Sequence, residues 1–217
     1  MQILHASKKY NIPTISEKCT EFLQKQLCPA NVCMILEQSE FFQETTLSDI
    51  CLELITKHTR EALQGESFLG ISLQTLDKIL DCECLSIVER DLFECCLKWD
   101  RAQLSQKGQT IDGPSIRRTL GVVLYKIHLP VIPVEEFGSV VSKSGVLSME
   151  EELELFRYMS LKEKPANYPL AFPTSGRGSV ESAYYLEAMK YPNYINKSEY
   201  ENIKSIVNNI PIYATRK

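Results

Sequence analysis

A chain of 217 residues, 44% hydrophobic and 24% charged, has room for one large or two small globular domains of ordinary composition. A net charge of −4 argues against a general nucleic-acid binder, because phosphate neutralisation wants a clustered Lys/Arg surface. No apolar run approaches the roughly 18–20 residues of a membrane helix. The opening Met1-Gln2-Ile3-Leu4-His5 lacks the basic-then-apolar pattern of a signal peptide, so an intracellular, cytoplasmic protein is expected.

Ile3 to Tyr10 reads as the end of a helix stopped at Asn11. Pro13 suits the first turn of the next helix, which carries Ile15, Cys19, Phe22 and Leu23 and runs to Leu27. Pro29 opens a third helix with Val32, Cys33, Ile35 and Leu36 on its apolar side, ending around Phe41 and Phe42. A fourth follows Thr45-Thr46, with Leu47, Ile50, Cys51, Leu54 and Ile55 on one face. Connections of a few residues favour antiparallel helix pairs.

Glu66 to Ile71 reads as a short extended link, after which Ser72 caps a helix bearing Leu73, Leu76, Ile79 and Leu80. Ser86 and Glu89 have capping-box spacing ahead of the most regular apolar stripe in the chain: Val88, Leu92, Cys95, Cys96 and Trp99. Glu89 falls off that stripe, and Trp99, the sole tryptophan, is expected to plug a core between helices. A polar loop from Ser105 to Gly113 precedes a helix starting at Pro114 with Ile116, Leu120, Val123 and Leu124. Pro130 and Pro133 bracket a turn, and a short helix from Glu135 to Val141 is closed by Gly145. Ser148 and Glu151 form a second capping box ahead of Leu153, Leu155, Phe156 and Met159. The fold class is therefore all-α, an array of antiparallel helix pairs, with an irregular tail.

From about Lys162 the pattern changes. The prolines, glycines and serines between Lys164 and Gly178 have no periodicity and read as a linker. Val180 to Tyr191 and Ser198 to Asn208 are weak helical candidates. Asn196-Lys197-Ser198 matches a glycosylation sequon, which an intracellular chain would not use.

Eight cysteines stand at 19, 28, 33, 51, 82, 84, 95 and 96. Cys33, Cys51, Cys95 and Cys96 lie in apolar helical patterns, where a free thiol behaves as a small hydrophobe. Cys82-Glu83-Cys84 supplies two thiols without the further ligands a tetrahedral site needs, so no metal is expected. His5, His58 and His128 sit in no metal or triad motif, and the phosphate-cradling loops and the nucleophile elbow are absent. The acidic run Glu150-Glu151-Glu152 favours a helix N-terminus electrostatically and needs no catalytic role. An enzyme is not expected, and no cofactor; a cysteine nucleophile would require one thiol of depressed pKa.

Several motifs, taken in order, are similar to those of a known family. Ile3 to Pro13, followed by Cys19 and Phe22-Leu23, resembles the last two helices of a BTB/POZ domain. Asn31-Val32-Cys33-Met34-Ile35-Leu36-Glu37-Gln38-Ser39 resembles the start of a BACK domain. Phe68-Leu69-Gly70-Ile71, Leu76 to Leu80, the helix ending at Trp99, Leu124 to Pro130 and Ser144 to Leu147 fit the same domain. The spacing is most similar to BTB-BACK proteins that carry a PHR domain instead of kelch repeats. The likeness covers about residues 1–164. It implies BTB-like C-terminal helices over 1–27, a BACK-like domain over 28–162, and a linker and weakly helical tail over 163–217.

The resemblance implies an adaptor: BTB-BACK proteins pair through BTB, bind the cullin-3 scaffold of a RING ubiquitin ligase, and present a substrate protein. By that likeness the helix pair from about Pro29 to Ile55 would face the cullin. Tyr10, Asn31, Met34, Ser39, Phe41 and Phe42 are then the candidate contacts. An alternative is a cullin-independent helical scaffold, or a truncated competitor of full-length relatives. Apolar residues around Ile3, Leu4 and Ile12 are expected to promote self-association.

Overall fold

The computed structural model describes residues 1–163, 165 and 168–178. The two weak helical candidates and the sequon lie outside them. Helices α1 (Gln2–Lys9), α2 (Pro13–Gln26), α3 (Val32–Phe41) and α4 (Thr45–Lys57) come first. The short α5 (Thr59–Gln64) and α6 (Glu66–Leu69) lead to α7 (Leu73–Leu80), the long α8 (Glu89–Gln106) and α9 (Gly113–Leu120). After two 3-10 turns, Gly121–Lys126 and Leu129–Val131, α10 (Val134–Glu136) runs into a π turn at Phe137–Val141, and α11 (Met149–Ser160) follows. Among the described residues the only β pairing is an isolated bridge between Cys84 and Gly178. The all-α expectation holds.

Helix α8 is the central strut. Leu92, Phe93, Cys96 and Trp99 are buried along it. The Trp99 indole N–H donates to the Ile71 carbonyl at 2.9 Å, which satisfies its one polar atom. One continuous core joins α3, α4, α7, α8, α9 and the turns up to Val146, with Leu155 of α11 and Phe172 beyond it.

Several local expectations are corrected by tertiary partners. Helix α8 begins at Glu89 with Val88 as its N-cap, and no capping box forms there. The Ser86 hydroxyl instead donates to the Thr56 carbonyl, and its amide donates to the Thr59 hydroxyl. Glu89 is buried, and Val88, expected on the apolar stripe, is exposed. Helix α3 starts at Val32 rather than at Pro29. The stretch expected to be extended from Glu66 coils into α6, because this turn buries Phe68 completely and brings Ile71 into the core. The helix expected to run through Leu124 breaks at Gly121, whose φ of +53° suits glycine, and a 3-10 turn buries Val123 and Leu124 instead. Gly113 packs so closely on Gly145 that a Cβ there would collide with the Gly145 carbonyl oxygen. Ser72 and Ser148 cap α7 and α11 as the sequence indicates, the latter in a complete capping box.

The stretch read as linker is partly packed. Phe172 is buried beside Tyr125, with ring centroids 5.1 Å apart, and Arg177 lies buried against Glu89.

Candidate partner-docking surface

The surface is built where α1, α2 and α3 meet. Asn11, at φ +54°, turns α1 back on α2, and the Ile12 amide donates to the Ser7 carbonyl at 2.7 Å. Ser7 is buried at this elbow, 2.7 Å from the Ser16 hydroxyl. Gln43, at φ +57°, makes the corresponding turn from α3 to α4. Helix α1 docks on that second turn through Leu4, a Lys8–Glu44 ion pair, and His5, whose ring stacks 4.8 Å from Phe42. Glu44 is nearly fully buried, so the pair anchors α1 at one register.

The six sequence candidates separate here. Phe41 is 79% exposed and Met34 49%, and their spacing of seven residues places both on one face of α3. Tyr10 is 70% exposed at the end of α1, with the Lys9 ammonium 5.9 Å from its ring centroid. Phe42 is half-buried between His5 and Phe41, packing edge-on against the latter. Asn31 spends its side chain on the α2–α3 turn, accepting from the Cys28 amide and donating to the Gln26 carbonyl. Ser39 is corrected: it is fully buried, its hydroxyl donating to the Leu36 carbonyl, and it cannot meet a partner. Leu4, expected in an exposed apolar patch, is buried as well.

Other apolar side chains around the first two helices are exposed as well: Ile3 and Ile12 as expected, Ile15 and Phe22 although not among the sequence candidates. Helix α2 has no fully buried residue; it rests on the core only through half-buried Cys19, Leu23 and Leu27. The sequence carries no sign of this, because Ile15, Cys19, Phe22 and Leu23 share one ordinary apolar stripe.

Six of the eight thiols are held in their protonated form by burial. Burial pushes Cys33 and Cys51 up to about 12, and it also raises Cys82, Cys84, Cys95 and Cys96. Among the described residues no three His, Cys, Asp or Glu side chains gather into a metal-binding group. Among them, too, no helix is long and apolar enough to cross a membrane. The arrangement can bury apolar side chains of another protein.

The helical array from α3 onward is of the BACK domain class. The sequence profile described as "BTB And C-terminal Kelch" matches residues 32–142. The chain belongs to the BTB-BACK family, a family of protein-interaction modules. It is 35% identical over 170 residues to BTB/POZ domain-containing protein 6 of Xenopus tropicalis, covering 78% of this chain and 32% of that protein. The human protein of that name is 34% identical over 174 residues, 80% of this chain and 32% of its own. Human BTB/POZ domain-containing protein 3 is 33% identical over 162 residues, 75% of this chain and 31% of its own. The chain thus spans about a third of the length of these curated relatives. No solved structure matches it.

Proposed function

We infer that the chain is the protein-interaction module of a substrate adaptor for a cullin-3 RING ubiquitin ligase, working by helix-pair docking and with no catalysis of its own. What carries this reading is Met34 and Phe41, two large apolar side chains held in solvent on one face of α3. Such a patch costs free energy while uncovered and is the usual sign of a protein contact. Family membership supports a protein partner, and by the BTB-BACK resemblance the α3–α4 pair would face a cullin. Tyr10 and Phe42 extend the contact onto α1. The protein to be ubiquitinated would bind elsewhere on the assembly. The free thiols fit a reducing, cytoplasmic setting.

Size-exclusion chromatography of the chain mixed with the N-terminal domain of cullin-3 tests this. Co-elution is expected, and it should be lost on Phe41→Asp but retained on Glu150→Gln, which lies on α11. Separate elution of two folded proteins would refute the cullin assignment.

A further inference from the structure

We propose that the helical body carries a guanidinium-binding socket, filled in cis by Arg177, so that residues 172–178 act as a latch over the α7–α8 junction. The Arg177 side chain is only 5% exposed. Its Nε donates to Glu89 Oε1 at 2.8 Å. Nη1 donates to the carbonyls of Leu80 at 2.8 Å and Cys82 at 2.7 Å, and Nη2 to the carbonyl of Lys126 at 2.5 Å.

These acceptors come from three places: the end of α7 and its following turn, the end of the 3-10 turn Gly121–Lys126, and the first residue of α8. The carbonyls at helix ends lack intrahelical partners and carry partial negative charge. A planar guanidinium can serve all of them together with a carboxylate, whereas an ammonium on a flexible stem offers no matching fork. Glu89 is held from its other side as well, where Oε2 accepts the His128 amide at 3.0 Å. Every acceptor thus belongs to the body, and the socket does not depend on the segment that fills it.

Beyond Arg177, the segment holds on through one buried ring at its start, one polar contact and one backbone bridge. Its backbone is irregular apart from the single bridge of Gly178 to Cys84. Phe172 is buried against Tyr125, and the Ser175 carbonyl lies 2.5 Å from His128 Nδ1. Gly178 sits against the Cys84 thiol, close enough that a Cβ would stand 3.3 Å from the sulfur. Release of Arg177 should loosen the segment beyond Phe172 and lift Gly178 off the partly exposed Cys84 thiol.

The test is per-residue thiol labelling of the full chain, read by mass spectrometry. Arg177→Ala is expected to label at Cys84 at least tenfold faster than the native chain. Millimolar methylguanidinium should refill the socket and raise the unfolding temperature of Arg177→Ala, and methylammonium at the same concentration should not. Native-like labelling in Arg177→Ala would overturn the latch. Equal stabilisation by both cations, or no stabilisation of a variant with native circular dichroism, would overturn the guanidinium socket. Should Arg177→Ala fail to fold, Arg177→Lys decides: accelerated Cys84 labelling supports the proposal, and the native rate refutes it.

Discussion

Asp100 is fully buried on α8, and neither carboxylate oxygen has a hydrogen-bond partner among the described residues. Burial pushes its carboxyl up to about 7; the charges of Lys107 and Arg101 oppose this without reversing it, and the Thr119 hydroxyl donates to the Ser115 carbonyl instead. The folded chain thus keeps a proton that the unfolded chain releases near 3.8. Stability from this group is complete below that value and declines as pH rises from about 4 to about 7. Asp100→Asn is expected to remove this slope from urea-unfolding midpoints measured across that range; an unchanged slope would assign it elsewhere. Beside it, Trp99→Phe leaves the Ile71 carbonyl short of its best donor and opens a gap in the core, at a cost of about 2 kcal/mol in the same unfolding measurement. The burial of Trp99 was legible, since an apolar stripe at helical spacing led to it. That of Asp100 was not, because nothing in a sequence marks a carboxylate for desolvation. The Ser86–Glu89 pair misled for a related reason: its spacing suits a cap, but the Thr56 carbonyl takes the Ser86 hydroxyl, and His128 and Arg177 take the Glu89 carboxylate.

Among the elements, α11 shows how a local signal and a tertiary one can agree. Ser148 and Glu151 close a capping box, and the Glu151 carboxylate also takes two bonds from Arg117 and one from the Tyr125 hydroxyl. Arg117 above all, with the Ser148 amide and Tyr125, holds the Glu151 carboxyl down at about 2 against the effect of burial. Its contribution is present above the ordinary value of 4.5 and is lost as pH falls through about 2. Glu151→Gln should therefore destabilise the chain at neutral pH and have little effect at pH 2. Ser148→Ala should cost about 1 kcal/mol, read from thermal unfolding. The capped helices were legible because Ser72 and Ser148 lie just ahead of strong apolar stripes. Helix breaks were less so. Gly121 sits inside a continuous apolar pattern, and only its left-handed backbone ends α9 there. The turn of α6 forms because the core has a place for Phe68, a fact about packing and not about local preference.

For the whole molecule, the uneven cover of α1 to α3 matters most. Ile3, Ile15, Phe22, Met34 and Phe41 remain in solvent around a well-packed core. At raised concentration the chain is expected to self-associate through this edge, and sedimentation should show Phe22→Ser shifting the equilibrium toward monomer. A concentration-independent monomer would contradict that. Which apolar residues of α2 face out could not be read from the sequence, because Ile15 and Phe22 look as core-like as Cys19 and Leu23. The choice is made by where α4 and the core lie. The most direct test of the account is calorimetric titration of the chain with the N-terminal domain of cullin-3, beside a Met34→Asp, Phe41→Asp double variant. Binding at micromolar strength or tighter, lost in a variant that unfolds at the native temperature, is the expected result. A folded native chain that gives no heat of binding would contradict the adaptor reading.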